Sequence, residues 1–515
     1  MIREAPNLQQ VSASDPGGHG ATDVADDGLT SPVETDPALA MNASGRSPLA
    51  RSTVVGAVLT ALIALSAAGI AAVLRDDDVP HPAAWDSRVE PLAAFVETQL
   101  GRRFDHPVYV DLLTTKEFRE QSRPSDVDRN GQDRSTLDRT VPLLRALSVV
   151  PADLDLYNTT DQLRGTSALG SYSVVDEHIR IRGDDFTPAV RFTLVHELAH
   201  ALRDQEVDLE ARLDGLGSDP ARQSAFRALL EGDADRVQSA WRDSLDDEGL
   251  RELEDELARL APPDSAGSAR VPSIVKSFAA APTLLGRTLI TVVLRQGRRG
   301  ALDDLFLTPP TTEEQLLDPW ALVADHQGYL STDVPVAAPG DELADHGTFG
   351  AVSWLLVLAE RLSPSEALRA AEGWGGDAYV SFDHDGAECL RIRYAADSKR
   401  DRQEMRAALG KWIHRGPPGS ARLAQDGREL LFEACATAGG ESAADSDQPR
   451  MALTLAIRHS EVSAELARTG YAFDQARCGA DLLIDRYPSQ AIGKLLPRER
   501  RIHQILMPCL PPGSG

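Results

Sequence analysis

The order of apolar and polar positions divides this chain into three stretches of different physical character. Residues 1 to 50 are rich in Gly, Ser, Pro, Asp and Ala with almost no aromatics. Such a composition cannot bury a core, and the tail is expected to be disordered. Thr53 to Leu74 carry no charged side chain over 22 positions, which meets the length of about 20 apolar residues that a helix needs to span a bilayer. From about residue 80 the pattern changes to the short periodicities of a folded protein.

In that third stretch, Trp85 to Gly101 reads as an amphipathic helix and Val108 to Leu113 as a strand. Helical spacing recurs over Lys116 to Gln121 and Leu137 to Leu147. Ile179 to Arg182 is an expected strand, placed so that it could act as an edge beside the helix that follows. That helix is strongly marked: Thr187-Pro188 is a cap and first-turn pair, and Ala189 to Asp204 holds no Gly or Pro. Val190, Leu194, Val195, Leu198, Ala199 and Leu202 make most of its surface apolar, so it is expected to be buried. A second helix opens at Asp219-Pro220 and carries Phe226, Leu229, Leu230, Val237 and Trp241 at helical spacing. Leu250 to Leu260 continues in helix, and the apolar run Leu284 to Leu294, which includes Arg287, reads as a core helix. Ser331 to Asp345, with Pro335, Pro339 and Gly340, reads as a connector. Beyond it, Phe349 to Arg361 and Arg402 to Trp412 are expected helices, and Tyr379 to Phe382 and Leu390 to Tyr394 expected strands.

The apolar helix contains His196-Glu197-Leu198-Ala199-His200. Histidines at i and i+4 project from one helix face, so both imidazoles can reach one Zn²⁺ while Glu197 stands over the open position. A catalytic zinc usually has three protein ligands and a water, so a third is needed. Continuation as HExxHxxGxxH is broken by Arg203 and Glu206, which stand where the glycine and third histidine belong. Glu231 in the second helix is the expected ligand. Asp235, four residues on and on the same face, is placed to accept the free N–H of a ligating histidine. Gly232 suits a close helix approach. Glu206, Asp204 and Asp208 are the alternatives, and a merely solvated acidic face of Glu231, Asp233 and Asp235 is the bland reading.

The stretches Ile179 to Gly183, Phe186-Thr187-Pro188 to Gln205 and Leu230-Glu231-Gly232-Asp233-Ala234, together with Tyr172, resemble a family of bacterial zincin-like metallopeptidases with the signature HELxHALxDQ and a later EGDA glutamate. Pro309-Pro310-Thr311-Thr312-Glu313-Glu314-Gln315-Leu316-Leu317-Asp318-Pro319 resembles the family's TEQ segment, and Gly373-Trp374-Gly375-Gly376-Asp377-Ala378-Tyr379 its GWGGD stretch. Asp318 departs from the pattern, standing where relatives carry His. The likeness covers roughly residues 85 to 415 and implies a gluzincin-type fold and zinc.

Charge and cysteines narrow the setting. Net charge is −26, and the basic clusters on which nucleic-acid binding depends are not evident, so nucleic acid is not an expected partner. Asp126 to Gly131 opens like an EF-hand loop, but Leu137 occupies the position of its bidentate glutamate. The tail before Thr53 is too long for the n-region of a secretory signal, so the span is expected to be a retained anchor. All four cysteines, Cys389, Cys435, Cys478 and Cys509, lie beyond it without CxxC spacing. Two disulfides in an oxidising compartment follow, with sequential pairing favoured because it closes two local loops.

The expected architecture is therefore α+β. It comprises a disordered tail (1–50), a transmembrane helix (51–75), a mostly helical zincin-like metallopeptidase domain with a small sheet (80–335) and an α+β C-terminal domain with disulfides (346–515). The expected function is hydrolysis of extracytoplasmic peptide or protein substrates at the cell membrane. Zn²⁺ would be held by His196, His200 and Glu231, Asp235 would support them, and Glu197 would be the base. Tyr172, His346 and Tyr379 are candidates for stabilising the oxyanion. The alternative is a catalytically inactive zincin scaffold that binds a partner at the cell surface.

Overall fold

The computed structural model describes residues 79–510 apart from 122–141, 152–153, 155–168, 217–219, 261–270, 296–299, 325–326, 339, 438–445, 488–490, 493–494 and 496–498. The expected tail and the Thr53 to Leu74 span lie outside the described residues, as do the EF-hand-like opening and the first part of the Leu137 to Leu147 helix.

Helix α1 (Glu90–Leu100) buries Leu92, Ala93, Val96 and Leu100 on one stripe. A small sheet follows: β1 (Tyr109–Leu113), helix α2 (Thr115–Gln121), β2 (Gly170–Ser173) and β3 (His178–Arg182). Its order is β1-β3-β2, with β1 parallel and β2 antiparallel to β3. Ile179 and Ile181 point into the core while their neighbours do not, the alternation of a half-buried strand. The strand before the histidine helix is thus central rather than an edge. The edges are β1 and β2, and the Gly-Ser-Tyr-Ser sequence of β2 is too short and too small to show a period.

Five helices form the next layer: α3 (Pro188–Val207), α4 (Leu209–Gly215), α5 (Pro220–Asp243), α6 (Asp247–Leu260) and α7 (Ser273–Arg295). Thr187 accepts the Val190 backbone N–H at 3.3 Å, and Pro188 occupies the first turn of α3. Its end is set by Asp208, held in the left-handed conformation at φ 53°, whose carboxylate accepts the Ala211 N–H and so caps α4 as well. Helix α7 runs upstream of the expected apolar stretch to Ser273, through Pro282. Among the described residues it is the one helix long and apolar enough to cross a membrane by length and composition. Its Leu285, Leu289, Ile290 and Val293 are core residues here.

Short helices α8 (Ala301–Leu307), α9 (Glu314–Leu317) and α10 (Pro319–Val323) lead to a second sheet. It is antiparallel with order β4-β5-β6-β8-β7, built from β4 (Glu342–Gly347), β5 (Trp374–His384), β6 (Ala387–Ala396), β7 (Ala421–Asp426) and β8 (Glu429–Cys435). Helices α11 (Ala351–Ala359) and α12 (Pro364–Ala371) lie between β4 and β5 in sequence, and α13 (Lys399–Arg415) between β6 and β7. Helices α14 (Gln448–Arg468), α15 (Phe473–Arg486) and α16 (Glu499–Leu506) follow. The connector expected to Asp345 ends sooner, because Glu342–Gly347 pairs with β5 as an edge strand. Its side chains are mostly exposed, so backbone pairing holds it and no hydrophobic alternation marks it.

The chain is α+β, as expected. One apolar core includes residues from Val89 to Ala456 and so draws on both of the expected domains, 80–335 and 346–515. Cys389 stands directly opposite Cys435 across β6 and β8 and is bonded to it, and Cys478 is bonded to Cys509. These are the two sequential pairs.

Candidate metal centre

Helix α3 presents His196 and His200 on one face, with their Nε2 atoms 3.0 Å apart. Glu231 enters from α5, its Oε2 3.5 Å from His196 Nε2. The three donor atoms all lie within 4.8 Å of one another. The side chains are 1, 2 and 3% exposed, and Glu197 beside them is 5% exposed. The bland reading of an acidic solvated face is therefore wrong for Glu231, and for Asp233, which is fully buried.

Two imidazoles and one carboxylate suit zinc and leave one position of a tetrahedral site open. Their hydrogen bonding is incomplete without an ion. His196 Nδ1 and Glu197 Oε2 are buried without hydrogen-bond partners, an expensive state for polar atoms. Facing Nε2 atoms need either a shared proton or a common electrophile. The residues fit the metal.

Charge in the cluster follows from burial and neighbours. Burial acts on His196 to favour its neutral form, but the Glu231 hydrogen bond and the charges of Glu197, Glu231 and Asp235 outweigh it and raise its pKa. His200 is driven well below the ordinary value by burial and by His196, so it stays neutral with a lone pair to offer. Burial lifts Glu197 to about 7 against the pull of His196, and the backbone N–H of Tyr172 on β2 steadies its carboxylate. A carboxyl group near 7 can both take and return a proton at neutral pH.

Neighbouring contacts fix α3 and α5. Arg203, buried on α3, reaches Asp233 of α5 at 2.8 Å and Glu206 at 2.6 Å, and its guanidinium lies over the Phe306 ring at 4.3 Å. Glu206 also pairs with Arg102 at 2.7 Å. It is committed to this ion-pair network and is absent from the donor cluster. Asp204 accepts from the Tyr172 hydroxyl at 2.7 Å, and Asp208 caps α4. Neither joins the cluster.

Asp235 lies 3.2 Å from the Arg287 guanidinium and near enough to His196 to influence its charge. No hydrogen bond links Asp235 to either histidine among the described contacts, and its Oδ2 is a buried atom without a hydrogen-bond partner. The hydroxyl of Tyr172 is engaged by Asp204, and that of Tyr379 donates to Asp345 at 2.9 Å. His346 is an exposed residue of β4.

The other two motifs are built into the fold. Asp377 of the GWGGD stretch is buried and accepts hydrogen bonds from Trp374 Nε1, Trp354 Nε1 and the Phe349 and Gly350 backbone N–H groups, at 2.7 to 3.2 Å. Glu313 accepts the Val352 N–H at 3.0 Å near the start of α11, and Gln315 donates to the Gln327 carbonyl at 2.8 Å. Asp318 binds Arg477 at 2.6 Å. Sequence reading overlooked Thr283, whose hydroxyl donates to Glu231 Oε2 at 3.4 Å, and gave Arg287 no role. An arginine in an otherwise apolar run was the available signal.

No family model matches the chain, and neither a curated protein nor a solved structure matches it.

Proposed function

We propose that this protein is a membrane-anchored zinc metallopeptidase of gluzincin type that hydrolyses peptide bonds of extracytoplasmic peptide or protein substrates. The observation that carries the reading is the convergence of His196, His200 and Glu231 beside a buried, hydrogen-bond-deficient Glu197. Zinc bound there would polarise a carbonyl and acidify a water. Glu197 then accepts a proton at its carboxylate and returns it to the leaving amine. The Tyr172 N–H orients that carboxylate. The charge of Asp235 acts on His196, and a hydrogen bond from His196 Nδ1–H to its carboxylate would fix the tautomer that turns Nε2 towards the metal.

The anchor is assigned to Thr53 to Leu74, since α7 is committed to the protein core. Two disulfides support an extracytoplasmic fold. One observation favours the alternative, a surface scaffold with structural metal: all four site side chains are at most 5% exposed. A structural site has no use for a base over an open position.

Purified full-length protein separates these readings by metal content and by hydrolysis of a mixed peptide pool. Wild type should carry one zinc, Glu231→Ala should lose it, and Glu206→Ala should keep it. Glu197→Gln should keep zinc and lose hydrolysis by about 10²- to 10⁴-fold, the usual cost of removing a general base. Undiminished turnover in zinc-replete Glu197→Gln rules out the peptidase mechanism. Zinc retained in Glu231→Ala and lost in Glu206→Ala rules out the ligand set.

A further inference from the structure

We infer that helix α7 is the positioning element of the metal centre, with Thr283 orienting Glu231 and Arg287 orienting Asp235. This rests on the zinc reading above and adds a set of supporting residues to it. Glu231 and Asp235 are four apart on α5, and Thr283 and Arg287 are four apart on α7. The two pairs meet in register: Thr283 Oγ1 donates to Glu231 Oε2 at 3.4 Å, and the Arg287 guanidinium lies 3.2 Å from Asp235. The oxygen that Thr283 contacts is the one facing His196 Nε2.

Backbone contact enforces this register. A Cβ on Gly232 would stand 2.2 Å from the Gly286 carbonyl carbon, and one on Gly286 would stand 1.7 Å from the Ala228 carbonyl oxygen. With two glycines at the crossing, the helices lie too close to slide past one another. One i,i+4 pair is therefore held against the other. Arg287 is itself tethered by a 3.1 Å hydrogen bond to Ser239 on α5. Thr283 is buried, so its hydroxyl has no competing water to favour another rotamer.

Such partners of ligating groups commonly change metal affinity by about 10- to 100-fold when removed. The test is the zinc affinity of the full-length protein, measured by competition with a chromophoric chelator, alongside the thermal midpoint of the metal-free form. Thr283→Val should weaken zinc binding at least tenfold, while Thr283→Ser, which keeps the hydroxyl, should restore it. Arg287→Gln should also weaken binding. Its partly exposed side chain makes loss of the fold a lesser risk, so it decides the matter if Thr283→Val does not fold. Metal-free midpoints report that each variant is folded at the temperature of the assay, and a purely structural role would lower them while leaving zinc affinity at the wild-type value. Wild-type affinity in Thr283→Val and Arg287→Gln, with Glu231→Ala losing zinc, overturns the inference and leaves the metal reading intact. Absence of zinc binding in the wild type overturns both.

Discussion

A carboxyl group that must keep its proton to remain buried ties stability to pH, and Glu314 is such a group. Burial, then the charge and hydrogen bond of Asp397, lift it from 4.5 to about 10. A pKa raised on folding gives stability that is complete below 4.5 and lost progressively as pH rises towards 10. At pH 8 the wild-type chain must take up a proton to fold, and Glu314→Gln need not, because the amide already donates. The variant should therefore match wild type near pH 4.5 and exceed it in thermal midpoint at pH 8. Parallel pH profiles would show that Glu314 is ionised in the fold. At this scale the sequence was legible where one helix carries the logic. His196, Glu197 and His200 are fixed by i,i+4 spacing alone, and Glu231 by spacing plus the apolar residues before it. Glu313, Glu314 and Asp377 were visible as motif letters only, because their partners lie 28 to 83 residues away, at Val352 for Glu313, Asp397 for Glu314 and Phe349 for Asp377.

Between elements, the contact of α5 with α7 is the feature on which the site's geometry depends. Gly286→Ala would place a methyl group inside a backbone carbonyl's radius, so the helices must separate. Overpacking of this kind commonly costs about 1–3 kcal/mol or more, and displacement of Glu231 should reduce zinc content in the same sample. Gly410→Ala on α13 is the control. A Cβ there meets nothing within 4 Å, and replacing glycine inside a helix should stabilise by about 0.5–1 kcal/mol. Denaturant midpoints falling for Gly286→Ala and rising for Gly410→Ala are expected; equal shifts would dismiss the crossing as the cause. The sequence announced Gly232 as a point of close approach but not its partner Gly286. Periodicity located α5 and α6, while α3, buried all round, was marked by its Thr187-Pro188 cap and its unbroken apolar run. It missed β2, β4 and β7, because an edge strand held by backbone hydrogen bonds imposes no pattern on its side chains, and it missed β8, whose Glu-Leu-Leu-Phe-Glu-Ala-Cys does not alternate apolar with polar.

For the whole molecule, the disulfides and the anchor make one joint claim about topology. Cys389–Cys435 ties β6 to β8 across 46 residues, and Cys478–Cys509 ties α15 to the segment after α16 across 31. Bridges closing loops of this size contribute about 2–5 kcal/mol each in an oxidising compartment and do not persist in a reducing one. No cysteine among the described residues is free. If residues 1–50 are cytoplasmic and Thr53 to Leu74 span the membrane, everything after Arg75 lies where those bridges are stable. Protease added to intact cells should then remove the C-terminal region while a tag at residue 1 stays protected in the membrane fraction. A membrane-impermeant thiol reagent should label the protein in intact cells only after reduction. Ready labelling without reductant would deny the disulfides while leaving the orientation in place. A protected C-terminal region, unlabelled even after impermeant reductant, would reverse the orientation and put the candidate zinc site in the cytoplasm.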